Sequence, residues 1–271
     1  MYSIQMPVER LNALVRGQRH VGTSIDFDVL KEVGFFIVRD ALPIEVCAKY
    51  KAEYDLYKAS KEFDRTPFHL TEVKVDLKHP MAEILKEPSF VKLAEQFFGG
   101  DVGVFNIRIV KKDSTDVMPV FLHQDIGYQH GSFQRYSLFI PLTPCNQTNG
   151  GLTFFPGTHK FGYLGDAGGL NDVAPVELLR PTPEVLPGDV IVMDSAMWHR
   201  SGPNETQAER VYYDIHINHA DDTATKYTIC GSRESAWAIS YEQEFLFENS
   251  RTQRLRALYK QIEELQGKSA S

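Results

Sequence analysis

The chain has 271 residues, 42% of them hydrophobic, and 29 basic against 36 acidic side chains leave a formal charge of −7. That length and composition fit one large domain, 1–271, with ample material for a core. The acidic balance argues against nonspecific DNA binding or adhesion to anionic membranes, since both gain affinity from positive charge. No apolar run is long enough to cross a bilayer, and Met1–Arg10 lacks the apolar stretch of a secretory signal. A cytoplasmic protein is expected, with no nucleic-acid partner and no membrane insertion; the sequence sets no oligomeric state. Cys47, Cys145 and Cys230 are far apart and odd in number, which fits structural thiols better than a disulfide framework or a zinc knuckle.

In chain order, Phe27–Val38 reads as a short helical lead-in followed by the strand Phe35-Phe36-Ile37-Val38. Pro43 then opens an amphipathic helix over Ile44–Phe63, proline being favoured in a first helical turn. Met81–Phe98 is a second helical region, broken or kinked at Pro88 and stopped by Gly99-Gly100. Residues 1–100 thus form a mostly helical support. Beyond residue 100 the pattern changes to short β-rich runs: Val102–Val110, Tyr136–Leu142, Thr153–Phe155, Val190–Met193 and Val211–Ile217. Gly, Pro, Asn and Asp separate them. Short strands at this spacing, with no strand–helix alternation, predict an antiparallel sandwich or barrel over 101–220. Gly162–Asp172 reads as an exposed loop, either a lid or an ordinary connection. A last helix is expected over 241–266, where Leu255, Leu258, Ile262 and Leu265 form an apolar stripe and Lys260 stands four residues from Glu264.

The chemistry concentrates in His123-Gln124-Asp125, in His199, 74 residues further on, and in Arg210, eleven residues after that. Two imidazoles and one carboxylate make the facial triad of a mononuclear non-haem iron(II) site, with three coordination positions open. On an extended strand His123 and Asp125 would share a face. Arg210 offers a bidentate fork for a carboxylate occupying the open positions. An HxD triplet alone is weak, and two unrelated histidines with a turn aspartate would also produce it.

Further ordered blocks strengthen the reading: Val33–Leu42, Asn149-Gly150-Gly151-Leu152-Thr153-Phe154-Phe155-Pro156-Gly157-Thr158-His159, and Leu186-Pro187-Gly188-Asp189. With the triad and Arg210 they make the chain resemble the phytanoyl-CoA dioxygenase-like family of iron(II)/2-oxoglutarate oxygenases, from Val33 to about Asn218. The resemblance implies a double-stranded β-helix, a cupin-like jelly roll, mainly β with flanking helices. It implies Fe(II) held by His123, Asp125 and His199, 2-oxoglutarate gripped through its far carboxylate by Arg210, and O2 as the second cosubstrate. Ser137 would stand beside the cosubstrate and Asn106 would help orient it. Arg108 would receive an anionic substrate, or both Asn106 and Arg108 would make core-edge hydrogen bonds. Tyr128, Gln129 and His130 would line the entrance, His159 would brace a loop, and Trp198 would pack the strand that carries His199.

The implied reaction hydroxylates an aliphatic C–H bond of a polar small metabolite and releases succinate and CO2. Asp125 disfavours halogenation, because the related halogenases replace that carboxylate by a small residue. Desaturation, cyclisation or epimerisation begin from the same hydrogen abstraction and stay open. The alternatives of another class are a noncatalytic jelly-roll binding protein and a cupin-like enzyme using a different metal without 2-oxoglutarate.

Overall fold

The segment Arg210–His219 divides the molecule. Successive side chains of an extended chain alternate between faces. Val211, Tyr213, Ile215 and Ile217 therefore join one apolar core, while Arg210, Tyr212, Asp214, His216 and Asn218 turn to the opposite side. The computed structural model describes residues 7–18, 24–60, 70–73, 77–115, 118–125, 134–162 and 169–234, together with Lys260 and Glu264. The predicted entrance residues Tyr128, Gln129 and His130 lie outside these. So do most of the 162–172 loop and all of the 241–266 helix except Lys260 and Glu264, both helical.

Among the described residues ten strands form two antiparallel sheets. They are β1 (Phe35–Val38), β2 (Leu70–Val73), β3 (Val102–Lys112), β4 (Val120–His123), β5 (Tyr136–Pro141), β6 (Leu152–Phe154), β7 (Val190–Asp194), β8 (His199–Ser201), β9 (Arg210–His219) and β10 (Tyr227–Cys230). The seven-stranded sheet runs β1-β7-β5-β9-β3-β10, with β2 also paired to β3; the three-stranded sheet runs β4-β8-β6. The helices α1 (Val8–Gly17), α2 (Phe27–Val33), α3 (Ile44–Ala59) and α4 (Pro88–Ala94) precede most of the strands. Residues of α3 and α4, among them Cys47, Tyr50, Tyr54, Phe90 and Leu93, share a core with the Val211/Tyr213/Ile215/Ile217 face. A second core joins Phe35, Ile37, Phe139, Ile191 and Met193 of the large sheet to Leu152 and Phe154 of the small one. This is the predicted jelly roll.

Several expected elements shift. The Met81–Phe98 region is a 3-10 turn over Pro80–Lys86, then α4, then a 3-10 turn at Phe98–Gly100. Pro88 causes the break: the residue before a proline is pushed out of the helical region, and Glu87 stands at φ −63°, ψ 127°. The helix from Ile44 ends at Ala59. The sequence reading gave no range to α1, β2, β4, β8 or β10, although it expected a strand carrying His199.

Glu87 also ties α3 down, accepting from Lys49 Nζ at 2.7 Å and Tyr50 Oη at 2.9 Å. The Lys49 ammonium outweighs burial and, with the Tyr50 hydroxyl, holds the Glu87 carboxyl below its usual range. A depressed folded-state pKa stabilises the fold above the unfolded carboxylate's pKa, and the gain disappears as pH falls through the folded value. Glu87→Gln is therefore expected to cost less than about 1 kcal/mol at neutral pH, Lys49 being half exposed. The deficit should shrink in acid. Urea midpoints that differ equally at pH 7 and pH 3 would contradict this.

A tighter joint holds the loop after β6. Asp26 caps α2 through Val29 N at 3.0 Å, and α2 ends at Gly34 with φ +93°. Gly157 N donates to Val33 O at 2.8 Å, and His159 Nε2 hydrogen-bonds Lys31 O at 2.9 Å. His159 thus braces a turn, with its Nδ1 2.5 Å from where a Cβ on Gly34 would stand. Gly34→Ala combines that clash with a left-handed backbone, and a loss of about 1–3 kcal/mol is expected. An unchanged thermal midpoint would contradict it. Asp189, from the Pro187-Gly188-Asp189 turn, bonds Arg39 Nη1 at 2.6 Å and accepts from Leu186 N at 2.9 Å, an architectural role.

Candidate metal centre

The two histidines meet because β4 and β8 pair antiparallel with His123 directly opposite His199; Phe154 of β6 stands on the other side of His199. Their ring centroids are 4.2 Å apart. β4 ends at His123, so Asp125 does not share a strand face with it, as the two-residue spacing had suggested. The carboxylate arrives from beyond the strand end, with Oδ1 3.6 Å from His123 Nε2 and 3.8 Å from His199 Nε2. One donor atom from each of the three residues lies within 4.8 Å of the others.

Backbone carbonyls orient both rings. His123 Nδ1 lies 2.8 Å from Phe121 O and His199 Nδ1 3.1 Å from Met197 O. A carbonyl only accepts, so each Nδ1 carries hydrogen and each Nε2 is the ring nitrogen turned toward Asp125. Gln124, the middle of the triplet, donates from Nε2 to Gly162 O at 2.8 Å and to Ala196 O at 2.6 Å. Its amide fastens the triplet to the turn that delivers His199.

Burial, then the neighbouring His123, pushes the His199 imidazole down to about 4, against the pull of Asp125. His199 is uncharged near neutrality. Burial alone would raise the Asp125 carboxyl, but the surrounding imidazoles and Arg108 hold it well below the ordinary range. With His199 neutral, the permanent charge of Arg108 is the durable part of that effect. Ser137 Oγ donates to Asp125 Oδ2 at 2.8 Å, leaving Oδ1 as the oxygen that faces the histidines.

Two rows of register partners floor the site. Asn106 of β3 pairs with His216 of β9, and His216 with Ser137 of β5; one step along, Arg108 pairs with Asp214 and Asp214 with Phe139. Arg108 Nε donates to Asp214 Oδ2 at 2.9 Å, and its Nη2 contacts the same oxygen and lies 2.8 Å from His216 Nε2. Arg210 is fully buried, donates from Nη1 to Val110 O at 3.1 Å, and holds its guanidinium 5.0 Å over the Tyr212 ring. Phe154 stacks on Phe35 at 4.6 Å, and Phe155 and Trp198 join a third apolar cluster with Leu122.

Sequence reasoning missed Gln124 and His216 and gave Asp214 no role. The last two were findable, since they recur at a spacing of two with Arg210 along β9. Gln124 carried no signal beyond lying between His123 and Asp125.

Two imidazoles and one carboxylate fit a borderline divalent ion such as Fe(II), and three donors leave part of an octahedron open for small molecules. Residues 30–212 match the phytanoyl-CoA dioxygenase (PhyH) family. The chain belongs to that family. The family depends on iron(II), 2-oxoglutarate and O2. The ectoine dioxygenase of Streptomyces avermitilis is 34% identical over 92 residues, 32% of this chain and 31% of that enzyme, so the match spans about a third of the relative's length. Among solved structures, EctD from S. alaskensis, with 2-oxoglutarate and 5-hydroxyectoine, superposes with a TM-score of 0.63 at 16% identity, over 83% of this chain and 90% of that one. The epimerase SnoN, with Fe3+, α-ketoglutarate and nogalamycin RO, gives 0.61 at 21%, over 78% and 85%. At such identities the likeness is one of fold.

Proposed function

We propose that the chain is an iron(II)/2-oxoglutarate-dependent dioxygenase that hydroxylates an aliphatic C–H bond of a polar small metabolite, with formation of succinate and CO2. The convergence of His123, Asp125 and His199 carries this reading, since one donor atom from each falls within 4.8 Å of the others inside a barrel of this family. These three would hold iron, which with 2-oxoglutarate and O2 supplies the oxidation. Arg210 anchors the far carboxylate of 2-oxoglutarate, with Ser137 and Asn106 on the same side of the sheet.

The protein's own residues prepare the site. The Phe121 and Met197 carbonyls fix the imidazole tautomers, Ser137 orients Asp125, and the apolar core beneath His199 limits water. Asp125 supports hydroxylation over halogenation, because a carboxylate stands where a halide would have to bind. Asp214 offsets the charge of Arg108, so the floor is polar but balanced. That favours a neutral polar acceptor over a strongly anionic one. Tyr128, Gln129 and His130 are proposed to line its entrance.

The test incubates Fe(II)-loaded protein with 2-oxoglutarate, ¹⁸O2 and a pooled polar-metabolite extract. Succinate should form in step with a product carrying one ¹⁸O. Absence of both 2-oxoglutarate binding and succinate formation would overturn the assignment.

A further inference from the structure

The donor set above Asp125 has a rival beneath it. Asp125, Asp214 and His216 also bring one donor atom each within 4.8 Å of one another, and all three are buried. The two sets share Asp125. Two carboxylates and an imidazole attract a divalent cation more strongly by charge than two imidazoles and a carboxylate do, yet the lower set lies on the floor of the barrel. Its residues are fully enclosed, and such a position leaves little space for small molecules to reach a bound ion.

Arg108 stands between the two. Its Nη2 contacts Asp214 Oδ2, lies 2.8 Å from His216 Nε2, and is 3.9 Å from Asp125 Oδ1. A guanidinium keeps its charge at any accessible pH, so it fills this space as a permanent cation and repels a second one. The cross-strand register of Arg108 with Asp214 also draws the guanidinium toward Asp214, leaving it farther from Asp125.

We infer that Arg108 and Asp214 are a positioning pair that reserves Asp125 for His123 and His199: Arg108 blocks the lower donor set, and Asp214 keeps Arg108 from claiming Asp125. The inference rests on the metal-centre reading above and adds a selection between two overlapping sites.

Co(II) is the probe, titrated into the full chain without 2-oxoglutarate or substrate, with stoichiometry and d–d absorption as readouts. Wild type should bind one equivalent, and His199→Ala should lose it. Adding Arg108→Met to His199→Ala should restore one equivalent with an altered spectrum, through the lower set, and a further Asp214→Asn should remove it again. A merely structural role for Arg108 would not produce that rescue. Asp214→Asn alone, which leaves no buried carboxylate stranded, should weaken Co(II) binding about 10- to 100-fold as Arg108 turns to Asp125.

A folded His199→Ala/Arg108→Met chain that takes up no Co(II) overturns the inference. If removing Arg108 prevents folding, Asp214→Asn decides, and wild-type affinity there overturns it equally. A wild-type chain that binds no Co(II) defeats the metal-centre reading and this inference together. Wild-type binding with failure of the other arms defeats this inference alone.

Discussion

Replacing His199 with alanine is expected to abolish iron-dependent turnover while leaving the chain folded. The ring is one of three proposed iron donors, and losing an outer hydrogen-bond partner of such a donor already costs about 10- to 100-fold in metal affinity. Loss of the donor itself should exceed about a hundredfold. The fold should survive, because β8 is held to both β4 and β6 by backbone pairing that the substitution leaves intact. His123→Ala should behave alike, with a smaller stability cost, since that side chain is 18% exposed against 3% for His199. Asp125→Ala should end iron-dependent turnover too, and it vacates a position beside the histidines that a halide could enter. Metal titration and 2-oxoglutarate-dependent CO2 release are the measurements. Full activity in either histidine variant would refute the donor assignment.

Arg210→Ala should separate cosubstrate recognition from metal binding. Arg210 supplies none of the three donor atoms, so Fe(II) affinity should hardly change. Loss of a charge-assisted bidentate contact to the far carboxylate should cost on the order of 2–4 kcal/mol, roughly 30- to 1,000-fold in 2-oxoglutarate affinity. The side chain is wholly buried, so the alanine variant also leaves a cavity. Arg210→Lys keeps the charge but not the planar fork, and should fall between the two. Anaerobic calorimetry on Fe(II)-loaded protein gives the numbers directly. Equal 2-oxoglutarate affinity in wild type and Arg210→Ala would remove Arg210 from the cosubstrate site.

Much of the fold is legible in the sequence. Val102–Lys112 and Arg210–His219 announce themselves because β-branched and aromatic residues dominate one face of each. His123, Asp125 and His199, which the fold brings together, had been singled out by their chemistry and by the ordered blocks around them. β4 and β8 were not. β8 is His199-Arg200-Ser201, three residues without an apolar side chain, and it exists as a strand because two neighbours supply its hydrogen bonds. The position of Asp125 was misjudged for a related reason: a spacing of two means a shared face only while the chain stays extended, and β4 stops at His123. Arg108 was left between an anionic substrate and hydrogen bonds at the core edge, because a single strand read alone cannot reveal its register partner. Asp214 is more than a hundred residues away, and only the folded sheet sets the two opposite each other.

The direct opposition of His123 and His199 has a consequence for how the chain lives with scarce iron. The sheet that carries them has strands of three or four residues, whereas the large sheet is built on strands as long as eleven. A metal ion bridging β4 and β8 would act as a cross-link between segments joined otherwise by a few hydrogen bonds, and its binding free energy would add to their local stability. Opening of so short a sheet is expected at a lower free energy than opening of the long one. Depletion of the metal should therefore speed amide hydrogen exchange in β4, β8 and β6 while β3 and β9 stay protected. In a cell short of iron the chain would become a target for proteolysis at its small sheet well before the larger sheet unfolds.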